Sequence, residues 1–224
     1  MTSLIITIDG PAASGKSTAA RLLAEMLGAS FLDTGAMYRA VTLAAMRATV
    51  NMRDEKQLLS VIEKYEFRFE AEQGQMAVYI NGEDVTKQIR KPEVTANARY
   101  IASSAKMREK LVEMQRQFAA GEEKIVTEGR DQGTVAFPNA DVKFYLTAEV
   151  DERARRRQAE VGGNLENIQK AIEQRDKSDE GRTVGPLRPA GDAIVIDTTD
   201  LTIEEVAEKL LCRIEEKLPK RNRK

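Results

Sequence analysis

The chain has 224 residues, 42% hydrophobic and 32% charged, which suits one sizeable core, with room for an inserted lobe, beneath a heavily charged surface. A formal net charge of −1 supplies no global field toward nucleic acid or membrane, and no apolar run nears the roughly 20 residues of a membrane span. A single cysteine, Cys212, excludes an internal disulfide, and the lack of any histidine excludes His-based triads and His metal sites. Carboxylates, lysines and arginines are left to do any chemistry. With neither a charged start nor a long apolar centre at the N-terminus, the expected location is the cytoplasm.

The first apolar run, Leu4-Ile5-Ile6-Thr7-Ile8, reads as a buried strand. It runs into Gly10, Pro11, Ala12, Ala13, Ser14, Gly15, Lys16, Ser17 and Thr18, in which Gly10-x-x-x-x-Gly15-Lys16-Ser17 has the spacing of a phosphate-binding P-loop. Such a loop wraps the phosphates of a nucleoside triphosphate in backbone N–H groups at a helix N-terminus. Lys16 is expected at the β/γ-phosphates and the Ser17 hydroxyl on Mg²⁺. The alternative is an ordinary strand-to-helix turn capped by Ser14 or Ser17. Residues 19–27 follow as an amphipathic helix with Leu22, Leu23, Met26 and Leu27 on one face. A second strand, Ser30-Phe31-Leu32, leads into Asp33-Thr34-Gly35-Ala36-Met37-Tyr38-Arg39.

The rhythm then changes. Phe67, Phe69 and Ala71 alternate with Arg68, Glu70 and Glu72; Met76, Val78 and Ile80 alternate likewise beyond Gly74, and Asn81-Gly82 signals a hairpin turn. An antiparallel ribbon within an α/β chain marks residues 66–90 as an inserted lobe. A mostly helical stretch from Pro92 to Ala120 returns the chain to the core. Three more short apolar runs, at 124–127, 142–146 and 193–196, complete a parallel sheet covered on both faces. Arg153, Arg156 and Arg157 share a helix face, and Gly162-Gly163 suggests a hinge beyond them. In the last helix Thr202-x-x-Glu205 forms a capping box ahead of Val206, Leu210, Leu211 and Ile214. Pro219 closes it before a basic tail, 219–224.

In an open α/β sheet, ligands bind outside the carboxyl ends of the strands. Arg39 lies there, and so does the turn Glu128-Gly129-Arg130-Asp131-Gln132-Gly133, so two glycine-punctuated turns each offer an arginine to an anion. Asp33 and Glu128 are placed to hold Mg²⁺ through its waters. A hinged, arginine-bearing helix pair over a P-loop is what phosphoryl transfer requires, since charge must be neutralised and water excluded. That chemistry depends on positioning and charge, so it needs no strong general base.

With the P-loop, Asp33 to Arg39, Asn81-Gly82-Glu83-Asp84-Val85-Thr86, Gly129-Arg130-Asp131, Arg153-x-x-Arg156-Arg157 and Arg175-Asp176-x-x-Asp179-x-x-Arg182 in order, the chain resembles bacterial cytidylate kinases from about residue 4 to residue 218. The resemblance implies one nucleoside monophosphate kinase domain over 1–224 with the α/β three-layer fold of P-loop kinases. Its parts are a five-stranded parallel sheet, a helical lid over 149–164, and an antiparallel β-ribbon in the monophosphate-binding lobe. It implies transfer of the γ-phosphoryl of ATP to CMP or dCMP, with Mg²⁺ and lid closure, in the supply of pyrimidine nucleotides. The expected enzyme is a monomer with no nucleic-acid or membrane partner. Residues 10–18 would hold the ATP phosphates. Arg39, Arg130 and Arg182 would grip the CMP phosphate or the group in flight, Lys16 would stabilise charge between the β- and γ-phosphates, and Arg153 and Arg157 would close over ATP. Thr34, Tyr38, Arg39, Arg108, Arg130, Asp131, Arg175 and Asp179 would bind CMP. Among these, Asp179 would take a ribose hydroxyl, and Arg108 with Asp131 would read the cytosine edge, whose amine donor sits beside acceptors.

The sequence departs from the family pattern in three places. Arg99 stands where a serine usually faces the cytosine amine, Gln132 where an apolar residue is usual, and the connection from Arg157 to Asn164 is several residues short. Arg99 is expected to turn to solvent, leaving the base to Asp131 and Arg108, with Ser103 or Ser104 as further contacts. Two rival functions stand beside this one. The first is another P-loop small-molecule kinase, for UMP or a non-nucleotide alcohol; Asp179, Asp131 and Arg108 argue against the non-nucleotide version. The second is a nucleotide-dependent switch or nucleic-acid-handling ATPase, disfavoured by near-neutral charge and the lack of an aromatic stacking platform.

Overall fold

Five short runs rich in Ile, Val, Leu and Phe become one parallel sheet. In the computed structural model, which describes residues 4–72 and 75–218, β1 (Leu4–Asp9) lies at its centre. It is flanked by β6 (Lys124–Gly129) and β7 (Val142–Thr147), with β2 (Ser30–Asp33) and β8 (Ile194–Asp197) at the edges. The order is β2-β6-β1-β7-β8. Alternation along the strands sends Ile6, Ile8, Phe31, Val126 and Phe144 to one face, under α1 (Lys16–Leu27) and α8 (Ile203–Lys217). Leu32 and Ile125 go to the other face, under α2 (Thr34–Arg47) and α5 (Ala105–Ala120). Both faces are dry, as a parallel sheet requires. Ile6 and Ile8, wholly buried, contribute about 1.5–3 kcal/mol each by leaving water.

Helix α1 turns a different face inward from the one its leucines suggest. Ala19, Ala20, Leu23 and Ala24 are buried, whereas Met26 is 43% exposed and Leu22 and Leu27 are half-buried. Small side chains let the helix lie close against the sheet, and close approach outweighs the larger apolar groups. The capping box of α8 forms as expected, with Glu205 N–H on Thr202 Oγ1 and Thr202 N–H on Glu205 Oε2.

The ribbon is also present. Strands β3 (Phe67–Glu72) and β4 (Gln75–Ile80) pair antiparallel with Phe67 opposite Ile80, and β5 (Glu83–Asp84) follows through Asn81 and Gly82, both at positive φ (50° and 80°). That is the backbone a tight hairpin demands. Met76, Val78 and Ile80 pack into the same core as Met37 and Ala40 of α2, so the insert shares the main core. Gly74, and Pro219 with the basic tail, lie outside the described residues. The intervening helices are α3 (Glu55–Lys64) and α4 (Pro92–Ser103); Ser104 then interrupts the helical run and caps α5 by accepting the Met107 N–H. After β7, α6 (Val150–Val161) and α7 (Leu165–Glu180) form a helical pair joined through Gly162 and Gly163, at φ 70° and 98°. Among the described residues no helix is long and apolar enough to cross a membrane.

Candidate active site

The loop after β1 is built around forced glycines. A Cβ at Gly10 would collide with the carbonyl oxygen of Leu146 in β7, and Gly15 sits at φ 83° as the cap of α1. No side chain caps that helix. Its first amides are therefore free for an anion, which decides against the ordinary capped turn. Ser17 Oγ instead donates to Glu128 Oε1 at 3.0 Å. Lys16 arches back so that Nζ donates to the Pro11 carbonyl at 2.9 Å. Burial, and then the nearby Arg130 guanidinium, lower the Lys16 pKa from 10.5 to about 7, while Glu128 pulls it up.

Strand register supplies the next two groups. Asp33 and Glu128 are paired neighbours on β2 and β6, both on the α1 side of the sheet, and Thr34 Oγ1 donates to the Glu128 carbonyl at 2.7 Å. Asp33 is already engaged: it accepts the Ala36 N–H at the start of α2 and pairs with Arg39 (3.2 Å) and Arg90 (3.6 Å). Ser17 and Glu128 are thus the groups best placed toward a cation. Among the described residues no cluster of three or more acidic, Cys or His side chains makes a metal cage. This donor set fits Mg²⁺ that arrives on phosphate and keeps most of its waters.

Facing the loop is a cluster of arginines. Arg130 Nε donates to Asp179 Oδ2 at 2.9 Å, Arg182 pairs with the other oxygen of Asp179, and Arg108 pairs with Asp131 in a buried contact. Arg108 also lies over the Tyr38 ring, 6.0 Å from its centroid. Burial raises the Tyr38 phenol to about 12, so it stays a neutral donor. Burial likewise raises the Asp131 carboxyl, against the pull of Arg108. Arg175 reaches solvent, yet its pKa falls to about 10, first because Arg130 crowds it and then through burial. Cations outnumber carboxylates here, so the cluster is made for a polyanion.

Of the expected site residues, Lys16, Ser17, Thr34, Tyr38, Arg39, Arg108, Arg130, Asp131, Arg175, Asp179 and Arg182 gather in this one region. The two arginines expected to close over ATP divide. Arg153 is buried, with its guanidinium on the loop backbone and on Asp176. Arg157 points outward and pairs with Glu160 at 2.8 Å. Asp179 is held between two arginines. Arg99 does turn outward, its guanidinium 4.9 Å from the Tyr100 ring centroid. The hydroxyls of Ser103 and Ser104 donate to the Arg99 carbonyl and to Glu55. Gln132 is buried in a polar chain, accepting from Thr127 Oγ1 (3.0 Å) and donating to Gln115 Oε1 (3.3 Å).

Three residues carry more of the site than sequence spacing indicates. Asp9, the last residue of β1, accepts the N–H groups of Gln132 (2.8 Å) and Gly133 (2.7 Å), and so fixes the wide turn Gln132–Ala136 behind Arg130 and Asp131. Burial raises its pKa to about 7. Asp176 holds the P-loop from α7. Gly185, at φ 62°, lies against the Arg108–Asp131 pair so closely that a Cβ would overlap both side chains. The only local signal was adjacency to the motifs, since each partner lies far along the chain or in a loop.

Fold and loop together define a P-loop kinase. Solved structures of the same fold include TT1252 from Thermus thermophilus, 18% identical with a TM-score of 0.50, covering 96% of this chain and 98% of that one. A gluconokinase from Sinorhizobium meliloti 1021 is 14% identical with a TM-score of 0.50, covering 96% and 93%. At such identities the likeness is one of fold. The sequence profile of the family described as Cytidylate kinase matches residues 6–216. A cytidylate kinase from Lactobacillus gasseri is 44% identical over 210 residues, 92% of this chain and 91% of its own length. One from Bacillus cytotoxicus is 42% identical over 220 residues, 96% and 97% of the two chains. The chain belongs to the cytidylate kinase family; it is an enzyme, a phosphotransferase acting on nucleoside monophosphates.

Proposed function

We propose that this enzyme transfers the γ-phosphoryl of ATP to CMP and dCMP in the cytoplasm, with Mg²⁺ and with closure of residues 149–164. The observation that carries the acceptor's identity is the buried Arg108–Asp131 pair beside the Arg130–Asp179–Arg182 cluster. A carboxylate accepts from the cytosine N4 amine, and a guanidinium donates to the ring's acceptors. Uracil would set its O4 against Asp131, acceptor against acceptor, and leave a buried group unpaired.

Each residue then has a physical task. The free amides of α1 and the Lys16 ammonium neutralise charge growing between the β- and γ-phosphates. Arg39, Arg130 and Arg182 hold the acceptor's phosphate in line and offset its repulsion against the donor. Gly162 and Gly163, at positive φ, let α6 and α7 shut out water. Ser17 and Glu128 would hold Mg²⁺, which when bound neutralises phosphate charge.

An acceptor panel of CMP, dCMP, UMP, AMP and GMP with ATP and Mg²⁺, followed by ADP release, tests this. CMP and dCMP should turn over best, with CMP ahead of UMP in kcat/KM by about tenfold to a thousandfold. Equal turnover of UMP, or ATP consumption that needs nucleic acid and no acceptor, would overturn it.

A further inference from the structure

Ala12, inside the P-loop, is gripped at both of its backbone groups by the helix pair α6–α7. Its N–H donates to Asp176 Oδ1 at 3.0 Å, and its carbonyl accepts from Arg153 Nη1 at 3.1 Å. The same nitrogen pairs with Asp176 Oδ2, and Arg153 Nε donates to the Ala148 carbonyl at 3.0 Å, at the foot of α6. The ring so formed is closed and dry: Asp176 is 7% exposed and Arg153 is 9% exposed. Around it Ala12, Ala154 and Ile172 make a small core of their own, flanked by Ala13, Val150 and Ile168. Every member of that core comes from the loop or from α6 and α7.

We propose that Asp176 is a positioning residue for ATP, which with Arg153 locks the curvature of the P-loop to the seating of α6 and α7. The two peptide planes that meet at Ala12 are each pinned by one bond, so its backbone torsions cannot swing. Ala13 follows at φ 57°, then Gly15 at φ 83°, so the amides that face phosphate inherit their direction from Ala12. The apolar part of the contact is three small patches, too slight and too undirected to set that angle. Stability alone is a poor reason for such a pair, because a buried ion pair is often no better than apolar groups of the same volume. What the pair adds is geometry. Asp176 also lies near enough to Lys16 to favour its charged form.

This inference rests on the loop binding ATP and not on the identity of the acceptor. ATP affinity is therefore measured by calorimetry without acceptor, for the wild type, Asp176→Asn, and the double variant Asp176→Leu with Arg153→Met. The amide keeps one acceptor for Ala12 but leaves Arg153 unpaired; the double variant refills the volume and abandons Ala12. Both should bind ATP about tenfold or more weakly while CMP affinity stays within about twofold, and residues 10–18 should exchange amide hydrogens faster. A double variant with wild-type melting and wild-type ATP affinity would make the pair merely structural. Should that variant not fold, unchanged ATP affinity and unchanged exchange in Asp176→Asn would overturn the proposal equally. A wild-type enzyme that binds ATP but ignores CMP would sink the proposed acceptor and leave this measurement standing.

Discussion

Lys16 sits where a cation is needed, yet burial and then Arg130 bring its pKa down to about 7. The groups that oppose this, Glu128 and Asp176, are outweighed by desolvation with Arg130 and Arg175. A triphosphate at the start of α1 brings negative charge against Nζ and returns the lysine to its ammonium form. Binding must therefore take up a proton whenever the free enzyme is neutral at this site. At pH 8, one unit above the pKa, about nine-tenths of the free enzyme lacks that proton, and at pH 6 about one-tenth does. Uptake should be about 0.9 proton per ATP at pH 8, with affinity about tenfold weaker than at pH 6, or about 1.4 kcal/mol. Calorimetry in buffers of different ionisation enthalpy reads the proton count directly, and Lys16→Met removes the lysine's share while retaining the titration of the nucleotide itself. Folding stability must move in the opposite direction. The unfolded chain holds this proton up to pH 10.5 and the folded chain only to about 7, so the penalty from Lys16 is relieved as pH rises between them. Identical proton uptake by the wild type and Lys16→Met at pH 8 would refute this account.

Two further substitutions probe the cleft. Asp131→Asn keeps the shape beside Arg108 but can present a donor to uracil O4, so the CMP/UMP ratio in kcat/KM should fall toward unity; a retained ratio in a folded, active variant would mean that Asp131 does not read the base. Gly10→Ala should cost about 2–5 kcal/mol of stability and most ATP binding, because the new methyl meets the Leu146 carbonyl in a backbone region unsuited to alanine; wild-type melting would show that β7 gives way cheaply.

What the sequence makes legible is local. The strands announce themselves as runs of three to five mostly apolar residues, and the P-loop and the Thr202–Glu205 box are fixed short spacings. The inward face of α1 is harder to see, since Ala19, Ala20 and Ala24 win by closeness and not by hydrophobicity. Arg153 illustrates the limit. Helical spacing groups it with Arg156 and Arg157, but its fate is set by Asp176 on another helix and by Ala12, 141 positions away. Asp9 is equally hidden, its partners being 123 and 124 positions downstream. Side chains whose partners are remote carry no periodic mark.

The strand order also governs how this chain can come into being on the ribosome. β1 and β2 are neighbours in sequence but never touch as strands; each pairs with β6, and Leu4 waits for Lys124. At a synthesis rate of about 5–20 residues per second, β1 stays unpartnered for roughly 6–25 s until residue 129 is made. Through that interval two apolar strands of parallel-sheet character are exposed, while the β3–β4 ribbon, whose register is local, is free to close. The emerging chain is therefore most prone to aggregation before β6 appears; Ile125 and Val126 then join β1 to β2, and β7 closes the other edge of β1 about twenty residues later.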